Sequence, residues 1–162
     1  MSIVIGMTPA QIAALSTQQI KDLGTADFKA MTTSQIAALS SSNTSQIAAI
    51  ETEDLVVLST SQVQALQLYN SSGGLTTSQV QALTTAQIKA LTGSQFAEFE
   101  VADMAALLAD QLKAIDVSDV ASLTDAQLAA LNTSQFQELT TAQIAGLTTS
   151  QVTALSTNYF AN

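Results

Sequence analysis

The side chains able to do chemistry are few, and most of the acidic ones gather in one stretch. Glu98, Glu100, Asp103, Asp110, Asp116, Asp119 and Asp125 make up seven of the thirteen acidic residues. Carboxylate oxygens at that density could hold Ca2+, a hard cation that takes oxygen ligands. Their spacing follows no EF-hand loop, however. Asp103 and Asp119 stand in a column that Gln fills elsewhere, and Asp116 stands in a helix-cap column. They therefore read as solvated or capping carboxylates, which suit the positive end of a helix dipole.

Hydroxyls are abundant, but the chain has no His, so a Ser-His-Asp triad has no base. A Ser-Lys dyad would depend on Lys21, Lys29, Lys89 or Lys113, all at the most exposed position of the pattern described below. The absence of Cys removes thiolate nucleophiles, thiolate metal sites and disulfides together. Met7, Met31 and Met104 fall in apolar columns and read as packing residues. Gly73-Gly74 is followed by no basic residue and so is no phosphate loop. The expectation is a protein that is not an enzyme and carries no cofactor or metal.

Of the 162 residues 47 % are apolar, which sets the chain apart from low-hydrophobicity disordered proteins. Only 10 % are charged, so Thr, Ser and Gln must supply most of the polar surface. Four Lys, no Arg and a net charge of −9 leave little to neutralise phosphate, so no nucleic-acid partner is expected. No apolar run approaches the length of a membrane span, so no membrane insertion is expected either. Residues 1–7 lack both the basic residue and the apolar length of a cleaved signal peptide.

The positioning elements come from an internal repeat. Residues 32–39 read Thr-Thr-Ser-Gln-Ile-Ala-Ala-Leu, and the pattern recurs every eight residues with Gln or Asp as anchor. The anchors are Gln11, Gln19, Asp27 and Gln35, then Gln46, Asp54 and Gln62. They continue as Gln79, Gln87, Gln95, Asp103, Gln111, Asp119, Gln127, Gln135, Gln143 and Gln151, making 17 units. Val4 and Met7 fit a weaker unit before these, and Phe160 one after.

One residue after the anchor and four after it, all 17 units are apolar. Three after it, 11 of 17 carry Ala, which permits close approach; two after it stand all four lysines. Three before it, 14 of 17 carry Ser, Thr, Asn, Asp or Gly, which with Gln three residues on makes a capping box. Pro9 directly follows the cap Thr8, at the first helical position, where its missing N–H costs nothing.

Apolar positions three apart share a face of a helix but lie on opposite faces of a strand. One continuous helix is excluded, because eight residues leave an angular drift of about 80° per unit and the apolar stripe would wind around it. The pattern predicts an all-α solenoid of very short capped helices, one per repeat, with three or four helices to a coil. The Gln column is accounted for by capping, with a ladder between coils as a further use. Two irregular insertions, near 40–43 and 67–75, read as surface loops within a single repeat domain spanning 1–162.

The segments Leu-Thr-Thr-Ser-Gln (75–79) and Leu-Thr-Thr-Ala-Gln (83–87 and 139–143) resemble the tandem LTxxQ-type octapeptide repeats of large bacterial surface or secreted proteins. Periplasmic LTxxQ chaperones share the motif only once or twice, on long helices, so their activity is not carried over. The resemblance implies a protein at the cell surface or outside the cell. The absence of Cys, the acidic balance and a stretch without Lys or Arg after Lys113 resemble exported proteins whose signal is not N-terminal, so export by a signal-peptide-independent route is expected, with a cytoplasmic location as the alternative.

A solenoid needs polar caps on its terminal coils. Apolar residues near both ends make Ile3, Val4, Ile5, Tyr159 and Phe160 the candidate self-association residues of a head-to-tail homopolymer, a filament, sheath or matrix. A protein-binding solenoid and, more remotely, an ice-binding surface are the alternatives.

Overall fold

The computed structural model describes residues 3–39, 46–68 and 74–159, with side chains as far as Leu155. Sixteen α-helices and no strand occur among the described residues. In order they are α1 (Pro9–Ala13), α2 (Thr17–Lys21), α3 (Thr25–Ala30), α4 (Thr33–Ala38), α5 (Thr52–Leu55), α6 (Thr60–Ala65), α7 (Thr77–Ala82) and α8 (Thr85–Ala90). There follow α9 (Gly93–Ala97), α10 (Val101–Ala106), α11 (Ala109–Ala114), α12 (Val117–Val120), α13 (Asp125–Ala129), α14 (Thr133–Gln137), α15 (Thr141–Ala145) and α16 (Thr149–Tyr159). Sixteen of the seventeen anchors start a helix; residues 46–50 form turns instead. None of these helices is long and apolar enough to cross a membrane.

Each helix starts where its cap dictates. Thr84 sits extended at φ −70°, ψ 157°. Its Oγ1 accepts from the Gln87 N–H at 3.2 Å, and the Gln87 Oε1 accepts from the Thr84 N–H at 3.0 Å. Where the cap residue has no polar side chain, only the second half survives. The Leu108 N–H donates to Gln111 Oε1 at 2.9 Å, and the Gly24 N–H to Asp27 Oδ2 at 3.2 Å. Six residues span only about 9 Å of helix and would not hold alone in water. Stability has to come from stacking.

The stacking fixes the coil. α4 packs on α1, α5 on α3, α6 on α4, α7 on α5 and α8 on α6. Further along, α10 packs on α7, α11 on α8, α12 on α9, α13 on α10, α15 on α12 and α16 on α13. Counting residues 46–50 and the irregular 67–75 segment as units, every one of these pairs is three units apart. The solenoid is thus a triangular prism with three short helices, or 24 residues, to a coil. Stacking continues across both irregular segments, from α4 to α6 and from α6 to α8.

The two apolar columns line the inside of the prism. Ile12, Ile36, Leu39, Val63, Ile88, Phe96, Met104, Leu112 and Leu128 are fully buried, and Leu66, Leu91, Leu107 and Leu131 nearly so. Phe96 and Phe99 meet in a tilted pair with centroids 5.4 Å apart. The four lysines are exposed, as the pattern requires. Leu91→Ala should therefore cost about 2–5 kcal/mol through the cavity it leaves. Lys89→Ala should stay within about 0.5 kcal/mol, and urea denaturation of the two variants measures the contrast.

The 67–75 segment corrects its reading as a surface loop. Leu68 and Leu75 are buried in the common core, so the segment supplies apolar contacts in place of a regular unit. Residues 40–45 and 69–73, including most of both insertions, lie outside the described residues.

Candidate functional site: the glutamine ladder and the open last coil

The most regular polar feature is interior. Gln35, Gln46, Gln62, Gln79, Gln87, Gln95, Gln111, Gln127, Gln143 and Gln151 are buried, although capping alone would leave them at the surface. Their amide nitrogens explain it. Gln87 Nε2 donates to the Leu55 carbonyl at 2.9 Å and the Leu58 carbonyl at 3.0 Å. Gln127 Nε2 reaches the carbonyls of Phe96 (2.9 Å) and Phe99 (2.6 Å), and Gln143 Nε2 those of Leu112 and Ile115, both at 2.8 Å. Every anchor Gln from Gln35 onward makes such bonds.

The acceptors belong to the unit four back, so each amide spans the corner between that unit and the one it stacks on. Helix C-termini leave carbonyls without intrahelical partners. Corners this tight have no room for a Schellman turn, and the Gln amide of the next coil does that work. One side chain thus satisfies a donor at the start of its own helix and two acceptors at the end of another. Gln11 and Gln19 lie in the first coil and are exposed. Their Oε1 atoms cap Thr8 and Ser16, and their amide nitrogens donate to nothing among the described residues.

Aspartate at the anchor cannot donate when ionised, and the structure uses it differently. Asp27 Oδ1 accepts from the Ile3 N–H at 2.7 Å, one coil back. Asp119 accepts from the Gly93 N–H; burial nevertheless raises its carboxyl above the usual range, Asp116 adding to this and the Gly93 bond opposing it. Asp54 and Asp103 are buried rather than solvated; Asp103 keeps the capping half of its reading, its Oδ2 accepting from the Glu100 N–H at 3.2 Å.

Asp54 Oδ1 has no hydrogen-bond partner. Burial, with repulsion from Glu53, Glu51 and Asp27, pushes the Asp54 carboxyl up to about 6. Burial likewise pushes Asp103 to about 6, with the Glu100 N–H opposing and the Glu100 carboxylate adding to the rise. Asp116 holds the cap position before α12, yet its side chain makes no capping bond.

The expected self-association residues separate. Ile3 and Ile5 are exposed, at 66 % and 71 %. Val4 is fully buried in the core, and its carbonyl accepts from Gln35 Nε2, so it is not available to a second chain. Tyr159 is the last residue of α16, and Phe160 lies outside the described residues.

The apolar column also emerges where the sequence pattern puts core. In the last three units Ile144 is 37 % and Val152 is 51 % exposed, and Phe136, Leu139 and Leu147 are only half-buried. In earlier coils the next coil covers these positions; here none does among the described residues. The periodicity treats all 17 units alike, so it could reveal this only once the coil length was known.

Residues 4–42 and 125–157 match the family model described as the ALTTAQ repeat. No curated protein and no solved structure matches the chain. Fold and motif agree: the chain is built of tandem helical repeats similar to the LTxxQ type, and the matches to the ALTTAQ repeat fall in both its first and its last coils.

Proposed function

We propose that this is a structural, self-assembling protein rather than an enzyme, whose solenoids join end to end into extracellular filaments, a sheath or a matrix. The observation that carries the reading is the uncovered apolar layer of the last coil, with Ile144 and Val152 exposed. A solenoid coil left without a polar cap exposes its core layer to water. Covering it with the first coil of another copy is a heterologous contact, which propagates as an open polymer when it does not close. Ile3 and Ile5, exposed beside that first coil, supply apolar surface on the opposite side. A surface with only 10 % charged residues gives weak repulsion between neighbours.

Light scattering coupled to size-exclusion chromatography, with negative-stain microscopy, should show species that lengthen with concentration. Val152→Glu, an exposed site, should keep the helical circular dichroism and shorten or abolish the polymer. A wild-type chain that stays a monodisperse monomer at high concentration overturns the reading in favour of a protein-binding solenoid. Finding the native protein solely in the soluble cytosol overturns the extracellular part.

A further inference from the structure

We infer that the corner served by Asp54 is a cation site: the Asp54 carboxylate and the main-chain carbonyls of Ile20 and Leu23 hold one hard divalent ion of the Ca2+ class, where other coils place a glutamine amide. Such a site needs no second copy of the chain.

The register of the ladder names the acceptors. Gln46 Nε2 donates to the Ile12 and Leu15 carbonyls, at 3.3 and 2.6 Å, and Gln62 Nε2 to those of Phe28 and Met31, both at 2.8 Å. Asp54 is the anchor between these two, so the corner at Ile20 and Leu23 falls to it. Leu23 is buried, and its carbonyl accepts from no donor among the described residues. An ionised carboxylate brings no proton to that corner, and Asp is one methylene shorter than Gln, which leaves space where the amide would stand.

The other anchor aspartates are each met by a backbone N–H: Asp27 by that of Ile3, Asp103 by that of Glu100 and Asp119 by that of Gly93. Asp54 is only 2 % exposed, and its Oδ1 accepts from nothing. A buried carboxylate oxygen beside carbonyl oxygens is a set of acceptors short of a positive centre. The octad alone gives no sign of it, because the carbonyls come from the preceding coil.

The surrounding field favours a cation. The charges bearing on Asp54 are those of Glu53, Glu51 and Asp27, all acidic. They belong to the stack α3, α5, α7, α10, α13 and α16, which with its cap residues carries seven of the thirteen acidic residues and only Lys29 of the four lysines. The stack α1, α4, α6, α8 and α11 carries Asp110 against Lys89 and Lys113. No group of three carboxylates converges on a metal position among the described residues, so carbonyls and water complete the shell, a mixture that Ca2+ accepts. With one direct carboxylate the dissociation constant should be about 10⁻⁴–10⁻³ M, the range of extracellular calcium modules.

The thermal midpoint of the full chain at pH 7.5 and constant ionic strength should therefore rise as CaCl2 is added over about 0.1–10 mM. Asp54→Gln restores the amide, so that chain should fold at least as stably as metal-free wild type and lose the response. Asp125→Asn, an exposed position on the same acidic stack, should keep it. The ion needs the ionised carboxyl, which titrates at about 6, so calorimetric affinity should fall about tenfold from pH 7.5 to pH 5. A wild-type midpoint that Ca2+ does not move overturns the site and leaves the corner to water. An Asp54→Gln chain that responds as wild type does overturns it too, in favour of diffuse binding along the acidic stack.

Discussion

Gln87→Glu is expected to destabilise the fold by about 3–5 kcal/mol at neutral pH, although it changes one atom pair in an uncharged side chain. The amide that donates to the Leu55 and Leu58 carbonyls becomes a carboxylate facing them in a buried corner. An uncompensated buried charge costs on that scale, and the Leu58 carbonyl loses its donor besides, while the Leu55 carbonyl keeps only the Leu58 N–H. The new carboxyl escapes part of the cost by taking up a proton, so its folded pKa is raised and the deficit should shrink as pH falls. Gln11→Glu makes the same change where the amide has no acceptor, and should stay within about 0.5 kcal/mol. Urea unfolding of the two variants at pH 7 checks the contrast; similar losses at both sites would mean that the ladder contributes nothing beyond capping.

Asp54→Gln should have the opposite sign. It replaces a buried carboxylate oxygen without a partner by an amide positioned to reach the preceding coil, as at the other anchors. The expected gain is about 1–3 kcal/mol at pH 7, the usual penalty of an unsatisfied buried polar group now removed. The wild-type pH dependence follows from the same carboxyls. Asp54 and Asp103 titrate at about 6 when folded, above the ordinary value of 3.8.

Between those two pH values the folded chain holds more protons than the unfolded one, so stability rises as pH falls. The gain begins near pH 6 and is complete below about pH 3.8, against the usual direction of acid denaturation. Denaturation midpoints at pH 4.5 and 7.5 should show a more stable protein at the lower pH. The Asp54→Asn/Asp103→Asn chain should lose most of that difference, keeping only the share of Asp119, whose carboxyl is also raised.

How much of this was legible in the sequence depends on the range of the interaction. Caps, helix starts and inward faces depend on residues three or four apart, and the octad displays those contacts directly. Thr84 with Gln87, or Ile88 with Leu91, needs nothing from elsewhere to declare its role. The all-α class, the short helices and the exposed lysine column follow from such local contacts, as does the need for stacking, since helices this short cannot stand alone.

What the tertiary structure decided is everything that depends on the turning angle at each corner. Eight residues per unit are compatible with three or four helices to a coil, and only the packing of α4 on α1 and α16 on α13 selects three. That choice brings each anchor within reach of a corner 28 to 34 residues back, as Gln143 to Ile115 and Gln62 to Phe28. It turns Gln from a capping residue into a tie between coils, and leaves Asp54 buried and short of a partner.

Val4 and Val152 illustrate the limit. Both occupy the same apolar column, yet one is sealed by the coil that follows and the other is open. Periodicity records what a residue is suited to touch; whether anything is there to touch it depends on the layer above, which only the three-dimensional stacking specifies.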